Sequence, residues 1–270
     1  ESIRHPAIQA GIAPMQGLED MMLSIQVSAR FGQFYRSLTP GVLESLPLPL
    51  PPRHSASLRA LDEPQSKQWL SQAGIPTPEG QVVTPAEAEA ASHVIGFPVA
   101  MKVVDVALLH KTEAGAVALN LKDSKDVAAA LSQFRKNRPV SHVLVEPMIE
   151  DVVAELIIGV KYEAAFGHAL VIGAGGVLVE LLTDAVTILL PTTREVVSSG
   201  LDGLRVSKLL NGFRGKPPGD KAAVIDTVLA LADRIMLERD RVVEVDINPL
   251  MVLRDGSGVV AGDALVRLCE

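Results

Sequence analysis

Apolar and polar residues recur with two different periods along the chain, which predicts both helices and strands. Three- and four-residue spacing over 18–35 and 221–235 is typical of amphipathic helices. Residues suited to helix starts precede further helices over 62–73, 84–96, 123–134, 193–199 and 206–210. Short apolar or alternating runs predict strands at 81–83, 99–104, 116–121, 140–146, 152–160, 165–171, 177–182, 242–253 and 258–263. Strands and helices do not alternate strictly, so we expect an α+β fold of two lobes.

A proline-rich stretch divides this pattern. Residues 39–54 hold five of the 18 prolines and predict an extended linker. Residues 1–38 before it form a helical segment too small to bury a core of its own. Residues 55–270 after it form the compact domain, with lobes of roughly 55–145 and 146–270.

Composition narrows the class of function. Across 270 residues the net charge is −7 and aromatic residues make up 3%, which disfavours nucleic-acid binding. The single cysteine, Cys269, excludes an intramolecular disulfide and favours a reducing, cytoplasmic compartment. No apolar run reaches the length of a membrane span, and no membrane association is expected. The chain begins with Glu1, so it is open whether it is a fragment.

The stretch 99–121 holds the first sign of chemistry. Lys102 interrupts an apolar strand, and a polar loop from His110 to Gly115 leads into the next strand. A buried lysine needs a partner, and a cation beside a loop of small residues suits phosphate. A plain β-hairpin with a lysine that reaches solvent gives the same pattern, and both readings stay open.

Several motifs then follow one another in a recognisable order. They are GIP at 74–76, GFPVAMKV at 96–103, HKTEAGAV at 110–117, VLVEPM at 143–148, GAGGVLVE at 173–180, GFRG at 212–215 and EVDINPL at 244–250. Together they resemble the ATP-grasp module of NDP-forming (ADP-forming) acyl-CoA synthetases, which are related to the succinyl-CoA synthetase β subunit. The resemblance covers about 55–268 and implies an ATP-grasp fold with the nucleotide between two lobes.

The resemblance implies an acid–thiol ligase that couples a carboxylic acid and CoA to ATP/ADP through phosphohistidine, with Mg²⁺. Residues 1–38 look similar to the end of the acyl-CoA-handling region in fused members. The CoA-binding, phosphohistidine-bearing domain would then be a partner, in a longer chain or a separate subunit. We also expect a homo-oligomer.

The resemblance also implies roles for individual residues. Catalysis falls to His110, as a phosphoryl relay. By the same resemblance, Lys102 and Gly115 would contact the nucleotide phosphates, and Glu155 would contact the ribose. The adenine would be bound by Glu146, Pro147 and Met148. A turn that faces the phosphates would contain Gly175 and Gly176. Mg²⁺ falls to Asn248 and Asp263, whose oxygen atoms are hard ligands. Each residue also has a structural explanation, such as a loop histidine, an exposed acid or a tight turn.

Two positions depart from the family pattern. Ala116 stands where a second glycine is usual, and Ile188 stands where an arginine is common. Such changes favour an alternative, a catalytically weakened nucleotide-sensing module that regulates a fused acyltransferase. Another alternative is a non-CoA ATP-grasp ligase that joins a carboxylate to an amine.

Overall fold

The chain folds into two compact units, Glu1–Leu48 and Pro49–Glu270. The computed structural model describes residues 4–11, 17–37, 57–105, 115–176 and 184–270. The first unit contains helix α1 (Arg4–Gln9) and helix α2 (Leu18–Ser37), so the periodicity over 18–35 predicted α2 correctly. The predicted linker 39–54 and the predicted strand 177–182 lie outside the described residues.

The second unit contains the remaining described helices and strands. Its strands are β1 (Leu58–Ala60), β2 (Gln81–Val83), β3 (Val99–Val103), β4 (Val117–Leu121), β5 (Val143–Pro147), β6 (Ala154–Glu163), β7 (Gly167–Ala174), β8 (Ala185–Leu189), β9 (Val242–Val252), β10 (Val259–Ala261) and β11 (Ala264–Cys269). Its helices are α3 (Glu63–Gln72), α4 (Ala88–Ile95), α5 (Ser124–Asn137), α6 (Arg194–Asp202), α7 (Ser207–Leu210) and α8 (Lys221–Leu237).

The strands form two antiparallel sheets. The larger has seven strands in the order β1-β11-β9-β6-β7-β8, with β10 paired to β9. The smaller has four strands in the order β2-β5-β3-β4. Helices cover the sheets instead of linking parallel strands, and the predicted α+β class is confirmed.

The larger core lies on one face of the seven-stranded sheet. Alternate residues of β6, such as Leu156 and Ile158, are fully buried there against the apolar stripe of α8, which includes Leu231 and Ile235. Because side chains alternate across a strand, the other face of β6 carries Glu155. One face of this sheet is therefore core, and the opposite face is available to polar residues.

The smaller core lies between the four-stranded sheet and helices α4 and α5. Met101 and Val103 of β3 pack there with Phe134 of α5. All five residues of β3 are buried, including Ala100 and Lys102 on the face turned away from this core. That second face must therefore be covered by something other than α4 and α5.

Local hydrogen bonds set where two of the helices begin. Asp62 and Gln65 form the reciprocal capping box of α3, as the acidic start predicts. The three-residue spacing of Thr84 and Glu87 also suits a capping box, and this box is present in part, since both the amide and the hydroxyl of Thr84 donate to Glu87. Residues 85–87 form a turn, however, and α4 begins only at Ala88.

Three strands of the large sheet differ from the sequence prediction. The sequence did not predict β1 and β8. It predicted one strand at 258–263, where the structure has β10, a turn at Gly262 and then a further strand, β11. β1 pairs with β11, and Trp69 and Leu70 of α3 pack in the larger core. Residues 58–75 thus lie with the large sheet, although they were assigned to the first lobe.

Among the described residues, helices long and apolar enough to cross a membrane do not occur.

His168 gives the fold a pH dependence. Its ring nitrogen Nε2 lies 2.8 Å from the carbonyl oxygen of Val242, and burial lowers the pKa of His168 below 6.5. The unfolded chain therefore binds more protons below that pH, and stability falls as the pH drops. The loss due to this group is at most about 1.4 kcal/mol per pH unit. Urea unfolding at pH 7.5 and 5.5 should show a smaller loss in His168→Gln than in the wild type, and equal losses would contradict this.

Candidate functional site

Four buried charged residues form a closed ring of alternating charge, which we call the charge ring: Glu63, Lys67, Lys102 and Glu146. The Lys102 ammonium contacts Glu63 Oε1 at 2.6 Å and Glu146 Oε2 at 3.1 Å. The Lys67 ammonium contacts the same Glu63 oxygen at 2.9 Å and also bonds Glu146 Oε1. All four residues are at most 7% exposed.

The charge ring joins three parts of the second unit. Glu63 and Lys67 lie one turn apart on α3, Lys102 lies on β3, and Glu146 lies on β5. The Lys102 ammonium also donates to the carbonyl oxygen of Gly262, which lies between β10 and β11 of the large sheet, at 2.7 Å. The ring therefore covers the second face of β3 and ties the small sheet to the large one.

The neighbouring carboxylates keep Lys102 ionised inside the protein. Burial alone would lower the pKa of Lys102, but the carboxylates of Glu63, Glu146 and Asp263 raise it above its usual value. Burial and the nearby Lys102 ammonium lower the pKa of Lys67, although Glu63 and Glu146 partly oppose this. Lys102 is thus held firmly as a cation, and Asp263 is close enough to contribute.

Backbone contacts fix the carboxylate of Glu146 and its strand. A Cβ atom at Gly80 would lie 2.6 Å from Glu146 Cγ and 2.9 Å from the carbonyl oxygen of Val145, so only glycine fits there. Pro147 pairs with Val99, and the amide of Met148 donates to the carbonyl oxygen of Pro98 at 3.0 Å. The Met148 amide is therefore already engaged within the protein.

Asn248 and Asp263 lie on neighbouring stretches of backbone in the large sheet. The backbone amide of Asn248 lies 3.3 Å from the carbonyl oxygen of Asp263, where β9 meets the start of β11. Asn248 is exposed, and Asp263 Oδ1 accepts from the amide of Ala264 at 2.7 Å. Two oxygen-bearing side chains thus share one edge with the Gly262 carbonyl that Lys102 contacts.

Glu155 lies against the glycine turn that follows β7. The amide of Gly175 donates to the carbonyl oxygen of Glu155 at 2.7 Å, and a Cβ atom at Gly175 would come within 2.9 Å of that carbonyl group. Gly176 has a φ of +71°, and a Cβ atom there would lie 3.0 Å from Glu155 Oε2. The first of these glycines is required by close approach and the second by backbone conformation.

The two departures from the family pattern have structural explanations. Gly115 has a φ of +63°, and Ala116 after it is fully buried in the smaller core, where its carbonyl oxygen accepts from Val103. Ile188 pairs with Leu170 and is buried in the larger core, on the sheet face opposite Glu155. A side chain at position 188 therefore points into the larger core and not towards Glu155.

His110 lies outside the described residues, so its predicted relay role stays a prediction. The sequence analysis missed Glu63, Lys67 and Gly80. The available signal was the four-residue spacing of Glu63 and Lys67 together with a lysine inside an apolar strand, because a buried lysine requires carboxylate partners.

The close approach at Gly175 gives a stability prediction. Gly175→Ala should lower the free energy of unfolding by about 1–3 kcal/mol, because its Cβ overlaps the Glu155 backbone. Gly203→Ala is the matched control: Gly203 has a φ of −71° and meets no atom closer than 3.4 Å. The control should be neutral or slightly stabilising. Urea denaturation of both variants tests this, and equal effects would contradict the close contact.

Known proteins resemble this chain over most of the second unit. Residues 54–268 match a family model described as an ATP-grasp domain. The β subunit of ADP-forming acetate–CoA ligase II from Pyrococcus furiosus is 35% identical over 77% of this chain and 92% of its own length. The ADP-forming acetate–CoA ligase of Methanocaldococcus jannaschii is 34% identical, and the match covers 76% of this chain but only 30% of that longer protein.

A solved structure extends the comparison. Acetyl-coenzyme A synthetase 1 of Ca. Korarchaeum cryptofilum is 32% identical, with a TM-score of 0.67 over 77% of this chain and 92% of that one. That protein was solved with coenzyme A and Mg-AMPPCP, its phosphohistidine segment pointing towards the nucleotide binding site. The predicted fold is confirmed, and the chain belongs to the ATP-grasp family, in the group that includes the β subunits of ADP-forming acetate–CoA ligases.

Proposed function

We propose that this chain is the nucleotide-binding, phosphoryl-transfer module of an ADP-forming acyl-CoA synthetase. Its family membership supports this, and one observation carries it. A firmly charged lysine, Lys102, lies beside the edge where Asn248 and Asp263 meet, between two sheets. Phosphoryl transfer needs such a combination, because its catalysis depends on positioning and charge neutralisation.

The nucleotide would lie across the edges of the two sheets. Lys102 would contact its phosphates, with Gly115, Gly175 and Gly176 giving the backbone close access. The segment from Glu146 to Met148 would border the adenine. The exposed carboxylate of Glu155 would accept hydrogen bonds from the ribose hydroxyls.

Asn248 and Asp263 fit a magnesium ion that is held mainly by phosphate. Mg²⁺ prefers oxygen ligands, keeps several waters and is often bound by one or two protein groups plus substrate phosphates. Within the described residues, no group of three or more His, Cys, Asp or Glu is arranged to hold a metal without such help. The ion would neutralise phosphate charge, while Lys102 would hold the phosphates in place.

His110 would carry the phosphoryl group between partners. One neutral imidazole nitrogen would attack the phosphorus of a phosphohistidine, forming a new N–P bond as the old one breaks. The terminal phosphate oxygen of ADP would then attack His110-bound phosphorus, giving ATP and free His110. The phosphohistidine would come from a CoA-binding partner that handles the carboxylic acid and CoA.

The partner is proposed from the lengths of the relatives. The chain spans most of the separate P. furiosus β subunit but 30% of the longer M. jannaschii ligase. The activity of the whole enzyme would therefore need residues beyond this module, on a second subunit or a longer chain.

The relay can be tested with labelled ATP. The protein, combined with its CoA-binding partner, should transfer ³²P from γ-labelled ATP to protein, and His110→Ala should abolish turnover. His93→Ala is a control, because His93 bonds Ser124 on the surface of the small lobe. Unchanged turnover in His110→Ala would exclude the relay. Undetectable ADP binding by calorimetry would exclude the whole assignment.

The magnesium proposal has its own test. Mg²⁺ should tighten ADP binding to the wild type. In Asp263→Asn, the increase in ADP affinity caused by Mg²⁺ should be smaller by a factor of about ten or more, because charged ligands dominate Mg²⁺ binding. Glu244→Gln is the control, since Glu244 lies on β9 but pairs with Arg267 at 3.0 Å. Calorimetry with Mg²⁺ and with EDTA measures both variants, and an intact gain in Asp263→Asn would disprove the metal role.

A further inference from the structure

We propose that Lys67 and Glu63 are positioning residues that set the net charge around Lys102 and so control its contact with nucleotide phosphate. The inference rests on the proposed function, since it concerns the same phosphate contact. Neither residue is expected to touch the nucleotide. Both would act through the charge ring.

The Lys102 ammonium has three close oxygen partners in the structure. Two of its N–H donors are hydrogen-bonded, to Glu63 Oε1 at 2.6 Å and to the Gly262 carbonyl oxygen at 2.7 Å, and Glu146 Oε2 is an ion-pair partner at 3.1 Å. A phosphate oxygen would therefore compete with Glu146 for the remaining donor. Glu146 is the longest of the three contacts and the one that a phosphate would displace first.

Lys67 makes that exchange possible. The Glu146 side chain is 3% exposed, so losing Lys102 without another cation would leave a buried, unpaired carboxylate. Lys67 bonds Glu146 through the other carboxylate oxygen, Oε1, and contacts Glu63 as well. When Lys102 turns towards phosphate, both carboxylates would keep a cation.

The ring is electrically balanced, with two ammonium and two carboxylate groups. Removing the charge of Lys67 would leave a net charge of −1 beside an incoming anion. Removing the charge of Glu63 would leave +1. A unit charge about 4–6 Å from a charged group typically changes the equilibrium constant for a neighbouring ionic interaction by roughly tenfold or more.

Three variants separate this charge effect from simple damage to the fold. Lys67→Met should weaken ADP binding about tenfold. Glu63→Gln should tighten it several-fold, and the double variant, whose ring is neutral again, should return to within about threefold of the wild type. Adenosine, which has no phosphate, should bind all four proteins with similar affinity. Calorimetry gives the dissociation constants, and circular dichroism and urea unfolding check the fold.

Each outcome decides the question. If Lys67→Met does not fold, Glu63→Gln and the double variant still test the sign of the effect. Weaker ADP binding in every variant, or equal losses for ADP and adenosine, would show that the ring has only a structural role and would overturn the inference. If the wild type binds neither ligand, the proposed function itself fails. If it binds both and the series is flat, only the positioning role fails.

Discussion

The buried charge ring is the interaction on which the arrangement of the second unit depends. Moving ions out of water costs several kcal/mol each, and the cost is recovered only with good geometry and satisfied donors. Here each carboxylate contacts both ammonium groups, and a backbone carbonyl also accepts a hydrogen bond from Lys102. Because the members come from α3, β3 and β5, the favourable geometry exists only when helix and sheets are assembled.

Close backbone contacts make this geometry rigid. Gly80, directly before β2, lets the backbone there lie against Glu146, and Gly175 lets the end of β7 lie against Glu155. At Gly262, a Cβ atom would lie 2.8 Å from the terminal methyl group of Met251, a flexible side chain that could move aside, so this turn is less restricted than Gly80 and Gly175. Strands therefore position Lys102 and Asn248, and the two-residue turn between β10 and β11 positions Asp263.

Local signals in the sequence were enough for much of the fold. The period of α2 and α8, the capping residue Asp62 and the hairpin between β9 and β10 depend on neighbours in the chain, so they could be read directly. β1 and β8 lie at the two edges of the large sheet, where short strands carry weak alternation. Their pairing depends on distant strands, which a local pattern does not contain.

In the candidate site, too, some features follow from the local sequence and others depend on distant parts of the chain. In the sequence, Val245 and Ile247 alternate with Asp246 and Asn248, which indicates that Asn248 faces away from the core, and Asn248 is exposed in the structure. The chemical setting of Lys102 could not be read in the same way, because a glutamate and a lysine four residues apart at a helix start usually form a solvated pair. Whether they are buried depends on where α3 packs. The side-chain direction of Ile188 also depends on distant residues. It follows from the pairing of Ile188 with Leu170, which exists only in the assembled sheet.

Nucleotide binding and the contact between the two sheets would depend on the same ammonium group, that of Lys102. The ammonium that would hold phosphate is the same group that ties the small sheet to Gly262 of the large one. A ligand that competes for its donors must alter this tie, and linkage requires the tie to alter ligand affinity by the same factor. A second lysine on α3 would reduce the free-energy cost of that competition, because under our proposal the carboxylates would stay paired in either state. A lone Lys102–Glu146 pair would instead force a choice between a closed interface and a bound phosphate.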